Sequence, residues 1–331
     1  ELVFGSGITT FCDEHGMSVA KRLELFTSIC SAVLHAHQRG IIHRDIKPDN
    51  ILITDEDGAP SLKIIDFGIA KVLHNWYLEK GTQTGMVPFL GTPAYMSPEQ
   101  VHLNAPDLDT RTDIYSMGAL LYELLTGHPP FDHERLVSAD LENMFWIIKN
   151  EEPLPPSSRI ARLPRQEQTE IAKARGTTPA ELLRALKDDL DWITLKALEK
   201  NPDRRYPTAD GLAQDIKRHF EHHPVSAAAP SKRYRFVKML KRNRKLVTAS
   251  GTAGLLLLAT TILISRMAVS ARESANQAQE MEQVASVAEK LSHQALVAMH
   301  VSSGMSAADD NYHDKAFLWF TSSAKLANDS L

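Results

Sequence analysis

The sequence predicts a mainly α-helical fold with one small β-hairpin, followed by a single membrane-crossing helix and a further helical segment. Three observations carry that expectation. Apolar residues recur at three- and four-residue spacing over several long windows, the period of a helix face. Two short apolar runs flank one turn-rich heptapeptide, DEDGAPS. Residues 246–264 hold no charge over nineteen positions.

The first helix is expected over 18–39. Ser18 can cap it, Leu23, Phe26, Cys30, Val33, Leu34 and His37 share one face, and Gly40 can stop it. The runs at 51–53 and 62–65 then read as the two arms of a hairpin. Residues 66–110 are irregular and rich in Gly, Thr and Pro, long enough for a functional loop. A strongly apolar helix follows over 113–126, with Ile114, Met117, Leu120, Leu121, Leu124 and Leu125, ended by Gly127 and the pair Pro129-Pro130. Four prolines make 151–165 read as a surface linker. Helices are expected at 179–199 and 208–221, the second carrying Leu212, Ile216 and Phe220 at i+4.

Charge divides the chain more sharply than its total of −4 suggests. Residues 1–230 carry −9, residues 231–245 carry +8 without one acid, and residues 246–331 carry −3. The total excludes a nucleic-acid-binding polycation. The basic block abuts the uncharged stretch on one side only. As a helix that stretch would be about 28 Å long, close to the roughly 30 Å hydrocarbon core. A buried core helix is the other reading of it, since five Ser/Thr and two Gly dilute its apolar character. The one-sided Lys/Arg favours the span and places the N-terminal part in the cytoplasm. The cluster at 232–245 would also attract anionic membrane lipids. Both cysteines, Cys12 and Cys30, precede the span, so no disulfide is indicated. The 14 histidines form no zinc-like spacing.

Beyond the span, residues 268–299 are rich in Ala, Gln, Glu and Ser without Gly or Pro. They read as a helical stalk capable of self-association or as a solvated helix. Tyr312, Ala316, Phe320 and Ala324 repeat at i+4, which fits either a tetratricopeptide-like helix or an ordinary amphipathic one.

The chemistry sits between the first helix and the apolar one. His43-Arg44-Asp45-Ile46-Lys47-Pro48-Asp49-Asn50 is followed sixteen residues on by Asp66-Phe67-Gly68. Phosphoryl transfer asks the protein to orient the attacking hydroxyl and to neutralise phosphate charge. Asp45 supplies a hydroxyl acceptor, and Asn50 and Asp66 supply hard oxygen ligands suited to Mg²⁺.

These motifs resemble those of the eukaryotic-type Ser/Thr protein kinase family, in its bacterial membrane-anchored form. HRDIKPDN matches the catalytic loop, DFG the metal-binding motif, and Ser97-Pro98-Glu99 stands where Ala-Pro-Glu ends the activation segment. The resemblance implies ATP and Mg²⁺ as cofactors and proteins as substrates. By it, Asp45 accepts the substrate hydroxyl proton and Lys47 contacts the γ-phosphate. Asn50 and Asp66 hold Mg²⁺. Lys47 and Thr92 fit Ser/Thr rather than Tyr specificity. Arg44 would meet a phosphate on the activation loop, with Thr82 and Thr84 as candidates or else ordinary loop threonines. Asp113 would brace the catalytic loop, and Arg205 would pair with Glu99.

The resemblance covers residues 1–222 and implies the large C-terminal lobe of a kinase domain. A basic juxtamembrane linker over 223–245, the span over 246–264 and an extracytoplasmic helical region over 268–331 follow. No glycine-rich phosphate loop, strand lysine or helix glutamate precedes the catalytic motif. Gly5-Ser6-Gly7 falls where the hinge between lobes belongs, and Lys63 lies on the strand into DFG. The 331 residues alone are therefore expected to lack useful kinase activity. Two competing readings are a non-catalytic scaffold, which would have no need of Asp45, Lys47, Asn50 and Asp66, and a small-molecule phosphotransferase, which would have no need of the long 67–99 segment.

Overall fold

The structure is a computed structural model that describes residues 4–56, 59–67, 93–101, 108–309 and 313–328. The chain divides into two units, residues 1–244 and 245–331.

In the first unit, helix α1 (Ile8–Glu14) leads to α2 (Val19–His37), whose N-cap Ser18 accepts a hydrogen bond from the Lys21 amide. Gly40 lies just beyond its end with φ +73°, a conformation that favours glycine. Strands β2 (Ile51–Glu56) and β3 (Ala59–Ile64) pair antiparallel, with Ile51 opposite Ile64. A two-residue strand β1 (Ser6–Gly7) adds to the free edge of β2, so the sheet has three strands where the sequence suggested two.

Helix α3 (Arg111–Thr126) forms the middle of the unit. Ile114, Met117, Leu120, Leu121, Leu124 and Leu125 are all fully buried. Gly127, at φ +81°, ends it. Its last carbonyls meet two buried arginines: Arg22 donates to Leu124 O, and Arg175 donates to Glu123 O, Leu124 O and Leu125 O. Cations at a helix C-terminus satisfy the orphan carbonyls and oppose the negative end of the dipole. Burial, helped by the charge of Arg22, pushes Arg175 down to about 10. Gly118 lets the chain at Ala197 approach, since a Cβ there would lie 2.8 Å from that of Ala197.

Helices α4 (His133–Ser138), α5 (Leu141–Asn150), α6 (Pro156–Arg162), α7 (Arg165–Ala174), α8 (Pro179–Leu186), α9 (Asp189–Ala197) and α10 (Ala209–Phe220) complete the core. Three expectations need correction here. Residues 151–165 are not a bare linker. Pro156 occupies the first turn of α6, where a missing N–H costs nothing, Ile160 is fully buried, and Asp191 accepts from the Ser157 amide and hydroxyl. The expected helix at 179–199 is two helices, broken at Asp188 with φ +73°. Periodicity missed the break because Leu182, Leu186, Leu190 and Ile193 hold the spacing across it, all fully buried. On α10, Leu212 and Ile216 are core but Phe220 is 39 % exposed.

Residues 232–242, expected within a linker, form helix α11 (Lys232–Arg242), N-capped by Ser231. Helix α12 (Arg244–Asp309) then runs unbroken through the uncharged stretch and the segment after it. Among the described residues it is long and apolar enough to cross a membrane, with an 18-residue stretch of mean hydropathy 1.8. In the second unit, α13 (His313–Asn328) buries Ala316 and Ser323, while Ala324 faces out and Phe320 lies against Gly304. Tyr312 lies outside the described residues.

Candidate active site

The catalytic-motif loop connects α2 to β2 and is held from below by one carboxylate. Asp113, in the first turn of α3 and fully buried, accepts the His43 amide on Oδ2 and the Arg44 amide on Oδ1, each at 2.8 Å. His37, at the end of α2, donates its Nε2–H to Oδ2 at 2.7 Å. Two backbone donors on one carboxylate fix a sharp turn, and Arg44 sits at φ +66° within it. Gln100 donates to the Arg44 carbonyl at 2.7 Å and closes the turn from the other side.

Past the turn, His43 joins this loop to the strand that leads into the second motif. Its Nε2–H donates to Ile65 O at 3.1 Å while Nδ1 accepts the Asp45 amide at 3.3 Å. That arrangement uses the neutral ring, and burial lowers the His43 pKa accordingly. Its ring lies 4.6 Å from the ring of Phe67. The Ile65 amide donates to Asn50 O at 2.9 Å, tying the residue before Asp66 directly to the end of the catalytic loop. Asp66 itself adopts φ +56°.

Asp45 is the residue this framework presents. The buried Asn50 donates its amide N–H groups to the Asp45 carbonyl at 2.7 Å and to Asp45 Oδ2 at 3.0 Å. Lys47 Nζ lies 3.5 Å from the same Oδ2. An amide nitrogen spent in this way leaves the Asn50 side-chain oxygen for a cation, and Asp66 adds a carboxylate. Among the described residues, no three His, Cys, Asp or Glu side chains gather as a closed metal cage. That donor set suits Mg²⁺, which binds through one or two protein oxygens and completes its shell with water and phosphate.

The Ser97-Pro98-Glu99 motif is anchored separately. Arg205 makes a two-pronged pair with Glu99, Nη1 to Oε1 at 2.6 Å and Nη2 to Oε2 at 2.8 Å. Thr112 donates to Oε1 at 2.9 Å, and Arg205 also caps the carbonyls of Glu199, Lys200 and Arg111. Burial opposes ionisation of Glu99, yet the Arg205 guanidinium holds its carboxyl below the usual range. Ser97 is fully buried, and its additional hydroxyl is satisfied by Gln100 Oε1 at 3.2 Å.

The protein kinase domain family matches residues 5–219. The chain belongs to the protein kinase family. It is 36 % identical over 231 residues to the serine/threonine-protein kinase PknB of Mycobacterium tuberculosis, covering 69 % of this chain and 31 % of that protein. It is 38 % identical over 198 residues to PknB of Mycolicibacterium smegmatis, covering 60 % and 26 %. The chain thus spans between a quarter and a third of the length of these curated relatives. Among solved structures it resembles the kinase domain of Mycobacterium tuberculosis PknI, with 21 % identity and a TM-score of 0.43 over 66 % of this chain and 64 % of that one.

Of the residues singled out from sequence, the structure brings Asp45, Lys47 and Asn50 into direct contact, holds Arg44 by its backbone to Asp113, and pairs Glu99 with Arg205. Asp66 stands at the exit of β3, joined to the loop through Ile65. Thr82, Thr84 and Thr92 lie outside the described residues. Sequence reasoning missed two members of the framework. His37 was counted with an apolar helix face, and its place as the last such residue before Gly40 was the only available signal. Gln100 carried none.

Proposed function

We propose that the chain is the large lobe of a membrane-anchored Ser/Thr protein kinase, which transfers the γ-phosphate of ATP to serine or threonine hydroxyls of proteins. The observation that carries this is Asp45. Its carboxylate sits at the lip of a loop pinned by Asp113, flanked by the Lys47 ammonium and oriented by Asn50. Asp45 takes the proton of the incoming hydroxyl, and the Asn50 bond fixes which carboxylate oxygen faces it. Lys47 pairs with the transferred phosphate and offsets its charge. Asn50 and Asp66 hold Mg²⁺, which supplies charge neutralisation at the phosphates.

Helix α12 provides the anchor. Its apolar stretch crosses the bilayer, and the basic residues at 232–245 keep the lobe on the cytoplasmic side, against anionic lipid. Residues 268–331 are then extracytoplasmic, with 268–299 available for self-association.

The 331 residues contain the proton acceptor and cation ligands but no glycine-rich loop or strand lysine to hold the rest of the nucleotide. Incubated with Mg-ATP and a basic protein substrate, the chain by itself should transfer no phosphate above background. Joined to a small lobe carrying those elements, it should turn over at roughly 1–100 per second. Asp45→Asn should then lower that rate by about 10²–10⁴-fold. An unchanged rate in Asp45→Asn would overturn the reading in favour of a scaffold. Resistance of the chain to alkaline carbonate extraction tests the anchor.

A further inference from the structure

The basic segment before α12 is built into the lobe. Lys238, on α11, is 7 % exposed and its ammonium meets Asp189 Oδ2, while Asp189 is 4 % exposed. One turn earlier, the Tyr234 hydroxyl donates to Asp189 Oδ1 at 2.7 Å and accepts the Val225 amide at 3.2 Å. The Tyr234 ring stands edge-on to Trp192 of α9 at 5.2 Å. The turn leading into α11 is fixed as firmly. Asp215 of α10 accepts the Ser226 amide and hydroxyl, each at 2.8 Å, and the Ala227 amide at 2.9 Å. Helix α11 is therefore clamped by one face, through residues spaced i,i+4.

Between the end of α10, this turn and α11 lies an open pocket of about 460 Å³. Val225, Ala228 and Pro230 contribute apolar lining, and Arg218, Tyr234 and Arg235 contribute polar lining. No acidic side chain lines it. Arg218 spends one Nη on Asp215 at 2.7 Å. Arg235 is exposed and has no ion-pair partner among the described residues. On the outward side of α11, Phe236 is 56 % and Met239 43 % exposed, beside the exposed Lys232 and Arg233. A helix with basic and large apolar residues on its free face is suited to the headgroup–acyl boundary of a membrane.

We propose that this pocket is a headgroup site for an anionic phospholipid. A lining that combines two arginines with apolar residues matches a ligand with one anionic head and a greasy body. About ten residues of chain separate Arg235 from the uncharged stretch of α12, which supplies the bilayer as the source. The proposal rests on the membrane reading of α12. Its consequence is that the lobe is seated on the bilayer surface by a docked helix.

The full chain is purified in a neutral detergent and its bound lipids are counted by native mass spectrometry after titration with phosphatidylglycerol or phosphatidylcholine. One phosphatidylglycerol should be retained in preference to phosphatidylcholine. Arg235→Gln should lower that retention roughly tenfold, as for the loss of one charge-assisted contact, while Lys241→Gln leaves it unchanged. Arg235 takes no part in the clamp, so the variant should keep α11 protected in hydrogen exchange. Equal retention of the two lipids, or equal loss in Lys241→Gln, would overturn the proposal, the latter by showing a diffuse charge collar. Displacement of the lipid by glycerol phosphate at equal concentration would also overturn it, pointing to a soluble phosphate-ester site. Carbonate extraction reports on the span and lipid retention on the pocket, so either reading can fail alone.

Discussion

Two of the buried aspartates near helix starts in the first unit, Asp113 and Asp189, differ in what they hold. Asp113 takes two backbone amides, from His43 and Arg44, and a ring N–H from His37. Asp189 takes three side chains, from His219, Tyr234 and Lys238. Backbone donors belong to the loop whatever its sequence, so Asp113 dictates a chain path and with it the direction of Asp45. Side-chain donors can be removed one at a time, so Asp189 holds a whole helix by replaceable contacts. The first arrangement makes a rigid site, the second a detachable fastening.

The largest effect should come from removing the backbone-bonded carboxylate. Asp113→Ala strands the buried His43 amide and the half-buried Arg44 amide and should cost about 3–5 kcal/mol of stability, seen as a lower urea midpoint of the full chain in detergent. Survival of the lobe with an unchanged midpoint would break the contrast. Arg205→Lys comes next. It keeps the charge but loses the two-pronged pair with Glu99 and three capped carbonyls, and should cost about 2–4 kcal/mol by the same measurement. Lys238→Met should cost less, about 1–2 kcal/mol, because Asp189 keeps His219 and Tyr234. Its signature is local: amide exchange over 232–242 should accelerate while α3 stays protected. Loss of protection in α3 as well would mean that α11 belongs to the cooperative core.

The smallest effects are pH effects, and they run in opposite directions at two carboxyls. Asp189 is held down to about 2, burial being outweighed by hydrogen bonds from His219, Lys238 and Tyr234. Its contribution is complete above the ordinary value of 3.8 and is lost as pH falls through about 2, so α11 should stay docked in mild acid. Glu123 is pushed up to about 7, chiefly by burial and further by the charge of Asp49, although the Tyr95 hydroxyl donates to its Oε2. Its contribution is complete below 4.5 and lost as pH rises through about 7. Glu123→Gln should therefore flatten the fall in lobe stability between about pH 5 and 7. A slope unchanged by that substitution would assign the effect elsewhere.

Much of the helical layout could be read directly, because a helix packed on one side must repeat its apolar residues. Ser18 at one end of α2 and Gly127 at the end of α3 marked their boundaries, since capping is local chemistry. The break at Asp188 was invisible, because leucines on either side kept the same period through a change of helix axis. The prolines before α6 misled for the opposite reason: local composition alone cannot tell a linker from the first turn of a packed helix.

The site divides along the same line. Sequence by itself determined the family and the residue types that phosphoryl transfer requires, because those residues sit in contiguous motifs and each is needed for its own atoms. It also determined the charge step from −9 to +8 ahead of the uncharged stretch. Tertiary structure decided how the motifs are supported. His37 reaches Asp113, and Gln100 the Arg44 carbonyl, from separate segments, and Asp189 meets Lys238 across 49 residues. A buried polar group must find its partner wherever the packing places one, and only the folded chain fixes where that is.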